Sequence, residues 1–162
     1  SSDVCSSDLE MIADVVDANF EAPFEHRRLS VLSKLFGGFE FDAEETMQER
    51  LAMWHSGGER AWLFDNESDM LSMEARTIGF DMTSILDDPI SRTPWLFYIF
   101  HRIKRAIDGD KTIIMLDEGW KLLDDPVFAY TLKDWLKTIR KMGGLVGFAT
   151  QSTGDATRSV IG

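Results

Sequence analysis

The sequence predicts an α/β fold: a mainly parallel sheet flanked by helices, preceded by a helical segment. Three observations predict it. In the first third, apolar residues recur at helical spacing. From Gly58 onward, short apolar runs of β character alternate with capped amphipathic helices. The polar residues of the second part gather at the ends of the apolar runs, where ligands sit in parallel sheets.

The chain has 162 residues, enough for one domain with a real core. Hydrophobic residues make up 44% and charged residues 28%, an ordinary globular balance. The net charge of −11 argues against a domain whose whole surface grips nucleic acid, although a local basic patch remains compatible with it. A single cysteine, Cys5, excludes an intrachain disulfide framework and suits a reducing compartment. No apolar run approaches the roughly 20 residues of a spanning helix. No basic-then-apolar leader is visible, so membrane association is expected to come through partners.

Residues 1–9, "SSDVCSSDL", repeat Ser-Ser-Asp and lack apolar periodicity. They read as an artefact or scar and are set aside from the fold. The end at "ATRSVIG" comes in mid-pattern, and the chain reads as an internal piece of a longer protein.

Residues 10–57 form the expected helical segment. Met11, Ile12, Val15 and Val16 mark one helix. Leu29, Leu32, Leu35 and Phe36 mark a second, ended by Gly37-Gly38. Asp42 with Glu45 offers a capping box for a third, whose apolar face is Met47, Leu51 and Trp54.

Residues 58–162 form the expected α/β core. "RAWLFDN" reads as a short strand closing in Asp65-Asn66 turn chemistry. "TIGFDM" reads as a second, alternating Ile78, Phe80 and Met82. A helix then starts with Thr93 as N-cap and Pro94 at its first position, and ends before Gly109. Leu96, Ile99, Phe100, Ile103 and Ile107 form its inner stripe. "TIIMLD" follows as a buried strand. Asp125 caps the next helix and Pro126 opens it. Its core face is Phe128, Leu132, Trp135, Leu136 and Ile139, and Gly143-Gly144 stops it. "LVGFAT" is the last buried strand, with Gln151-Ser152 at its tip.

The pair Asp117-Glu118 ends an apolar strand. That arrangement suits nucleotide hydrolysis: the aspartate holds Mg²⁺ through its water shell, since Mg²⁺ dehydrates reluctantly. The neighbouring glutamate can polarise a water in line with a terminal phosphate. Gln151, at the tip of another strand, can sense that phosphate without adding charge. This layout is the Walker B and sensor arrangement of RecA-like P-loop ATPases. A solvated loop would also begin with two acids, but the second polar-tipped strand about 30 residues on favours the catalytic reading.

Other groups are less telling. His26, His55 and His101 are too scattered for a metal site. Trp95 to Phe100 reads as core. Lys133, Lys137, Arg140 and Lys141 read as a solvated face, with nucleic acid or a neighbouring subunit as alternatives, and Arg102, Lys104 and Arg105 likewise. Asp81 suits either a turn or the Mg²⁺ shell.

"LFDN", "GFDMT", "RTPWLFYIFHRI", "IDGDKTIIMLDEGWKLLDDPVFA", "KDWLKTIRK" and "GFATQS" together resemble the cytoplasmic ATPases of type IV secretion and conjugative transfer, the CagE/TrbE/VirB family. The likeness is strong from Gly58 to Ile161. "LDEGWKLLDDP" and "FATQS" are its most specific pieces. Many members have Ala or Phe where this chain has Gly119, which leaves the acids untouched. The resemblance implies a RecA-like P-loop NTPase core. It implies ATP and Mg²⁺ as cofactors, Asp117 as the Mg²⁺-associated aspartate, Glu118 as general base and Gln151 as phosphate sensor. It further implies a hexamer or dimer on the cytoplasmic face of the bacterial inner membrane, among other subunits of the secretion complex, energising pilus assembly and export of protein or DNA.

The family's Gly-x-x-x-x-Gly-Lys-Ser/Thr loop is expected upstream, and no such motif occurs in this chain. The arginine finger is expected outside it too. Without the loop's N–H cradle and lysine the carboxylates repel ATP, so the chain alone is expected to be inactive. Its absence should also leave "LVGFAT" as an open sheet edge. Two rivals stay open: a DNA-translocating hexamer of the coupling-protein or FtsK-like kind, and a secretion-channel scaffold with little hydrolysis.

Overall fold

A computed structural model describes residues 6–38, 45–107, 109–117 and 126–149. Asp42, Glu118, Gly119, Asp125 and Gln151 lie outside these residues. The chain divides into two compact units, Ser1–Leu71 and Ser72–Gly162.

The described α-helices of the first unit are α1 (Ser6–Glu21), α2 (Leu29–Leu35), α3 (Met47–Ala52) and α4 (Ala61–Phe64), joined by turns and irregular segments, and its described residues contain no strand. Helix α1 takes in Ser6 to Leu9, part of the stretch that the sequence reading set aside. Its Val15 is buried, as is Phe36 in the short 3₁₀ turn after α2. Helix α3 begins at a capping box formed by Thr46 and Glu49. The Thr46 Oγ1 accepts from the Glu49 N–H at 3.2 Å, and the Glu49 carboxylate accepts from the Thr46 N–H at 2.8 Å. The expected partner Glu45 lies ahead of this cap, so the box sits one turn later than the sequence reading placed it.

"RAWLFDN" is helix α4 and not a strand. Gly58 packs so closely on the Ala52 and Met53 carbonyls that a Cβ there would overlap them. That approach lets Arg60 N–H donate to Met53 O at 2.8 Å and turns the chain back on α3. The following N–H groups then close on Gly58, Arg60 and Ala61. An isolated apolar run with no neighbouring strand satisfies its backbone in a helical turn.

The second unit holds α5 (Thr83–Leu86), α6 (Pro89–Ala106), β1 (Thr112–Asp117), α7 (Pro126–Lys141) and β2 (Gly144–Ala149). "TIGFDM" forms no strand. Its alternation is nonetheless real: Ile78, Phe80 and Met82 are half-buried while Gly79 and Asp81 are exposed.

Helix α6 begins at Asp88-Pro89, earlier than the expected Thr93-Pro94. Asp88 Oδ1 accepts from Ile90 N–H at 3.1 Å, and its Oδ2 accepts from the Ser91 hydroxyl at 2.7 Å. Two Asx/Thr-Pro signatures compete here. The aspartate wins because it satisfies a free N-terminal donor, while Pro94, inside the helix, forfeits one backbone bond.

Strands β1 and β2 pair in parallel, with Thr112 opposite Gly144 and Asp117 opposite Ala149. Helix α7 connects them, as the capped amphipathic pattern implied. One sheet face, Ile114, Leu116 and Val146, packs on a cluster of Leu96, Phe100, Ile107, Phe128, Leu132, Trp135 and Ile139. Phe100 stands edge-on to Trp135 at 4.3 Å between centroids. The other face is not buried, contrary to the sequence reading. Ile113, Met115 and Leu145 are each more than 60% exposed. Parallel sheets are ordinarily covered on both faces; here the described residues cover one.

Candidate functional site

The candidate site is the carboxyl edge of this two-stranded sheet. Register fixes its geometry. Asp117 closes β1 and is exposed, directly across from Ala149 at the close of β2. Parallel strands lie about 4.8 Å apart. Glu118 follows Asp117 by one residue and Gln151 follows Ala149 by two. The strands that lead to the three expected site residues are therefore adjacent, parallel and level at their tips. Glu118 and Gln151 themselves lie outside the described residues.

The adjacency has a packing cause. Helix α7 buries Phe128, Ala129, Leu132, Trp135 and Ile139 along one face, with Ile139 fully buried. Gly143, at φ +90°, reverses the chain after α7 in a conformation that favours glycine. Gly144 then starts β2 against Ile139 itself. This short αβ turn carries the chain from α7 directly into β2, which pairs with β1.

A cavity of about 830 Å³ flanks β1 on one side, between α6 and the segment around Met73–Thr83. All six residues of β1 line it, and so does Asp81. The sequence reading missed the cavity. The signal that could have revealed it is the Ile78, Phe80 and Met82 alternation, which gives this segment an inner face without a strand partner.

Asp81 serves a turn. Its Oδ1 accepts from the Thr83 N–H at 3.0 Å and from the Thr83 hydroxyl at 2.7 Å. The backbone bond, aided by the hydroxyl, holds the Asp81 carboxyl below its ordinary range. Of the two roles left open for Asp81, the turn is the one these bonds express. Among the described residues, no three His, Cys, Asp or Glu side chains converge as a metal site. No described helix is long and apolar enough to cross a membrane.

Residues 17–161 match the model of the TraG P-loop domain. The chain belongs to the TraG P-loop domain family. Within it, the sequence sits in the VirB4/CagE/PtlC group of type IV secretion proteins. It is 42% identical over 158 residues to the type IV secretion system protein virB4 of Bartonella henselae, covering 98% of this chain and 20% of that protein. It is 44% identical over 101 residues to CagE of Helicobacter pylori, covering 62% and 10% respectively. It is 35% identical over 147 residues to PtlC of Bordetella pertussis, covering 86% and 18%. The chain thus spans about a fifth of the length of the first relatives it matches. The resemblance read from "LDEGWKLLDDP" and "FATQS" is the family to which the chain belongs.

Proposed function

We propose that this chain supplies the metal-holding and water-activating edge of an ATPase motor that energises type IV secretion. The observation that supports the reading is the level, parallel pairing of β1 and β2, with Asp117 at the close of one strand and Gln151 two residues along the chain from the close of the other. The family's P-loop character supports nucleotide binding by the whole protein.

The donor set suits magnesium triphosphate. Mg²⁺ keeps most of its waters and takes one or two carboxylates. Asp117, exposed at the strand tip, can orient such waters by accepting their protons in hydrogen bonds. Glu118, the next residue, takes the proton from the attacking water. Gln151 positions the terminal phosphate through a neutral amide. The bound nucleotide supplies the electrophilic phosphorus and the leaving group. The Gly-x-x-x-x-Gly-Lys-Ser/Thr loop would come from residues beyond those of this chain.

In this reading the core is RecA-like, and the motor is a homo-oligomer, hexameric or dimeric. It works at the cytoplasmic side of the bacterial inner membrane beside other secretion subunits, with protein or DNA as cargo. The test is Asp117→Asn in the full-length protein. Mg²⁺-dependent phosphate release should fall by about 100-fold or more, with the fold unchanged by circular dichroism. Retained turnover would refute the assignment of the site.

A further inference from the structure

Charge is divided unevenly along the chain. Residues 1–71 carry 16 acidic and 5 basic side chains, whereas residues 72–162 carry 12 of each. The net charge of −11 thus resides wholly in the first unit.

Within each unit one helix concentrates charge on a single face. Helix α7 presents Lys133, Lys137, Arg140 and Lys141, all exposed, with the exposed Asp134 among them, so the face carries a net charge of +3. Spacings of four, seven and eight residues put the four cations on one stripe, opposite buried Ile139. Tyr130, 80% exposed, continues this face toward the helix start. Helix α1 presents Glu10, Asp14, Asp17 and Glu21, all exposed, at spacings of four, seven and eleven. They lie opposite buried Val15, and the helix contains no basic residue. Phe20, 63% exposed, flanks the acidic stripe. Among the described residues no ion pair involves any of these eight charged side chains.

The two stripes are opposite in sign and similar in length. At 1.5 Å per residue the acidic one runs about 16 Å and the basic one about 12 Å. Each has an exposed aromatic beside it, and aromatics and arginine are the side chains that anchor interfaces. We propose that the basic face of α7 docks the acidic face of α1 from a second copy of the chain. Every copy then offers one of each surface, so the contact is of the head-to-tail kind that builds rings or chains. The inference is independent of the nucleotide reading, because none of its residues belongs to that site.

Nucleic acid is the competing occupant of the basic face. An overall charge of −11 repels it, whereas the acidic helix is supplied by the protein itself at equal concentration.

The experiment is sedimentation velocity of the 162-residue chain at about 50 mM and about 500 mM salt, a range that shortens the screening length severalfold. Association is expected at low salt and its loss at high salt. Lys137→Glu/Arg140→Glu and Asp14→Lys/Asp17→Lys should each weaken self-association by more than about tenfold, since like charges then face each other. An equimolar mixture of the two variants should associate again, because every facing pair is once more opposite in sign. These are surface changes, and unaltered circular dichroism should accompany them. The proposal is overturned if the chain stays monomeric at low salt, or if charge reversal leaves association unchanged. It is also overturned if the mixture fails to reassociate. Duplex DNA binding that is lost on Lys137→Glu/Arg140→Glu, with self-association intact, would assign the face to nucleic acid instead.

Discussion

Gly144→Ala tests how tightly the turn between α7 and β2 sets the sheet. A Cβ at position 144 would stand 2.4 Å from Ile139 Cγ2 and 3.2 Å from the Ile139 carbonyl oxygen. Carbon–carbon contacts are comfortable at about 3.5–4.0 Å, so something must move by more than 1 Å or so. Ile139 is fully buried, and its β-branched side chain has one favoured rotamer in a helix, so it cannot swing aside. Overpacking of this kind costs about 1–3 kcal/mol. Ile139→Ala alone leaves a cavity and costs about 2–5 kcal/mol. The double variant removes the clashing methyl, so its cost should fall short of the sum by roughly 1–2 kcal/mol, within the range seen for residues in contact. Ile139→Val keeps Cγ2 and should give no such relief. Urea denaturation of the parent, the three single variants and the two doubles, Gly144→Ala with Ile139→Ala and Gly144→Ala with Ile139→Val, measures these differences. An additive double variant, or relief by valine equal to that by alanine, would refute the packing argument.

Further expectations are as follows. The Glu49 carboxyl, held down by the Thr46 N–H and then by its hydroxyl, should titrate below the ordinary glutamate range. Because the folded value is the lower one, the cap's contribution is complete above the unfolded value and is lost as pH falls through the folded one. Carboxyl NMR should show the shift, and Thr46→Ala, which removes the hydroxyl but keeps the N–H, should lessen it without abolishing it. Burial raises the Tyr98 phenol, so spectrophotometric titration should find this tyrosine ionising above its ordinary value, and Tyr98→Phe should remove that transition. Pro94→Ala should stabilise α6 by up to about 3 kcal/mol in urea melts, since it restores a backbone donor; destabilisation would show that the ring's packing outweighs the bond. The purified 162-residue chain should show neither ATP binding by calorimetry nor phosphate release, and measurable turnover would contradict the need for a phosphate-binding loop from elsewhere.

The part of the fold legible in sequence is the part where local and tertiary demands agree. Helix α7 has Pro at its start, cations in its last turn, Gly after it and one continuous apolar stripe, so its bounds could be read almost to the residue. The two flanking strands were legible because each is a short β-rich run beside a turn. Their half-exposure was not, because a continuous apolar run looks the same whether one face or two are covered. "RAWLFDN" misled because four apolar residues carry no period. Its state is decided by Gly58, whose close approach to α3 is a tertiary fact. At Thr93-Pro94 a helix-start signature was present but unused, because Asp88-Pro89 offers the same signature one and a half turns earlier.

The site divides in the same way. The position of Asp117 was legible, because it closes an apolar run of strand character, and register puts it level with the close of β2; its role is a matter for kinetics. The role of Asp81 was not, because one strand-end acid looks like another until its acceptor bonds are known. For Glu118 and Gln151, the structure supplies the adjacency of the strands that lead to them, and their roles are matters for kinetics.

The most direct measurement is therefore made on Glu118→Gln in the full-length protein, with nucleotide affinity and single-turnover phosphate release followed together. The account predicts that affinity for Mg-ATP stays within a few-fold of the parent while the hydrolytic step slows by about 100- to 10,000-fold, as expected on removing a general base. Hydrolysis at the parental rate with intact binding would contradict it.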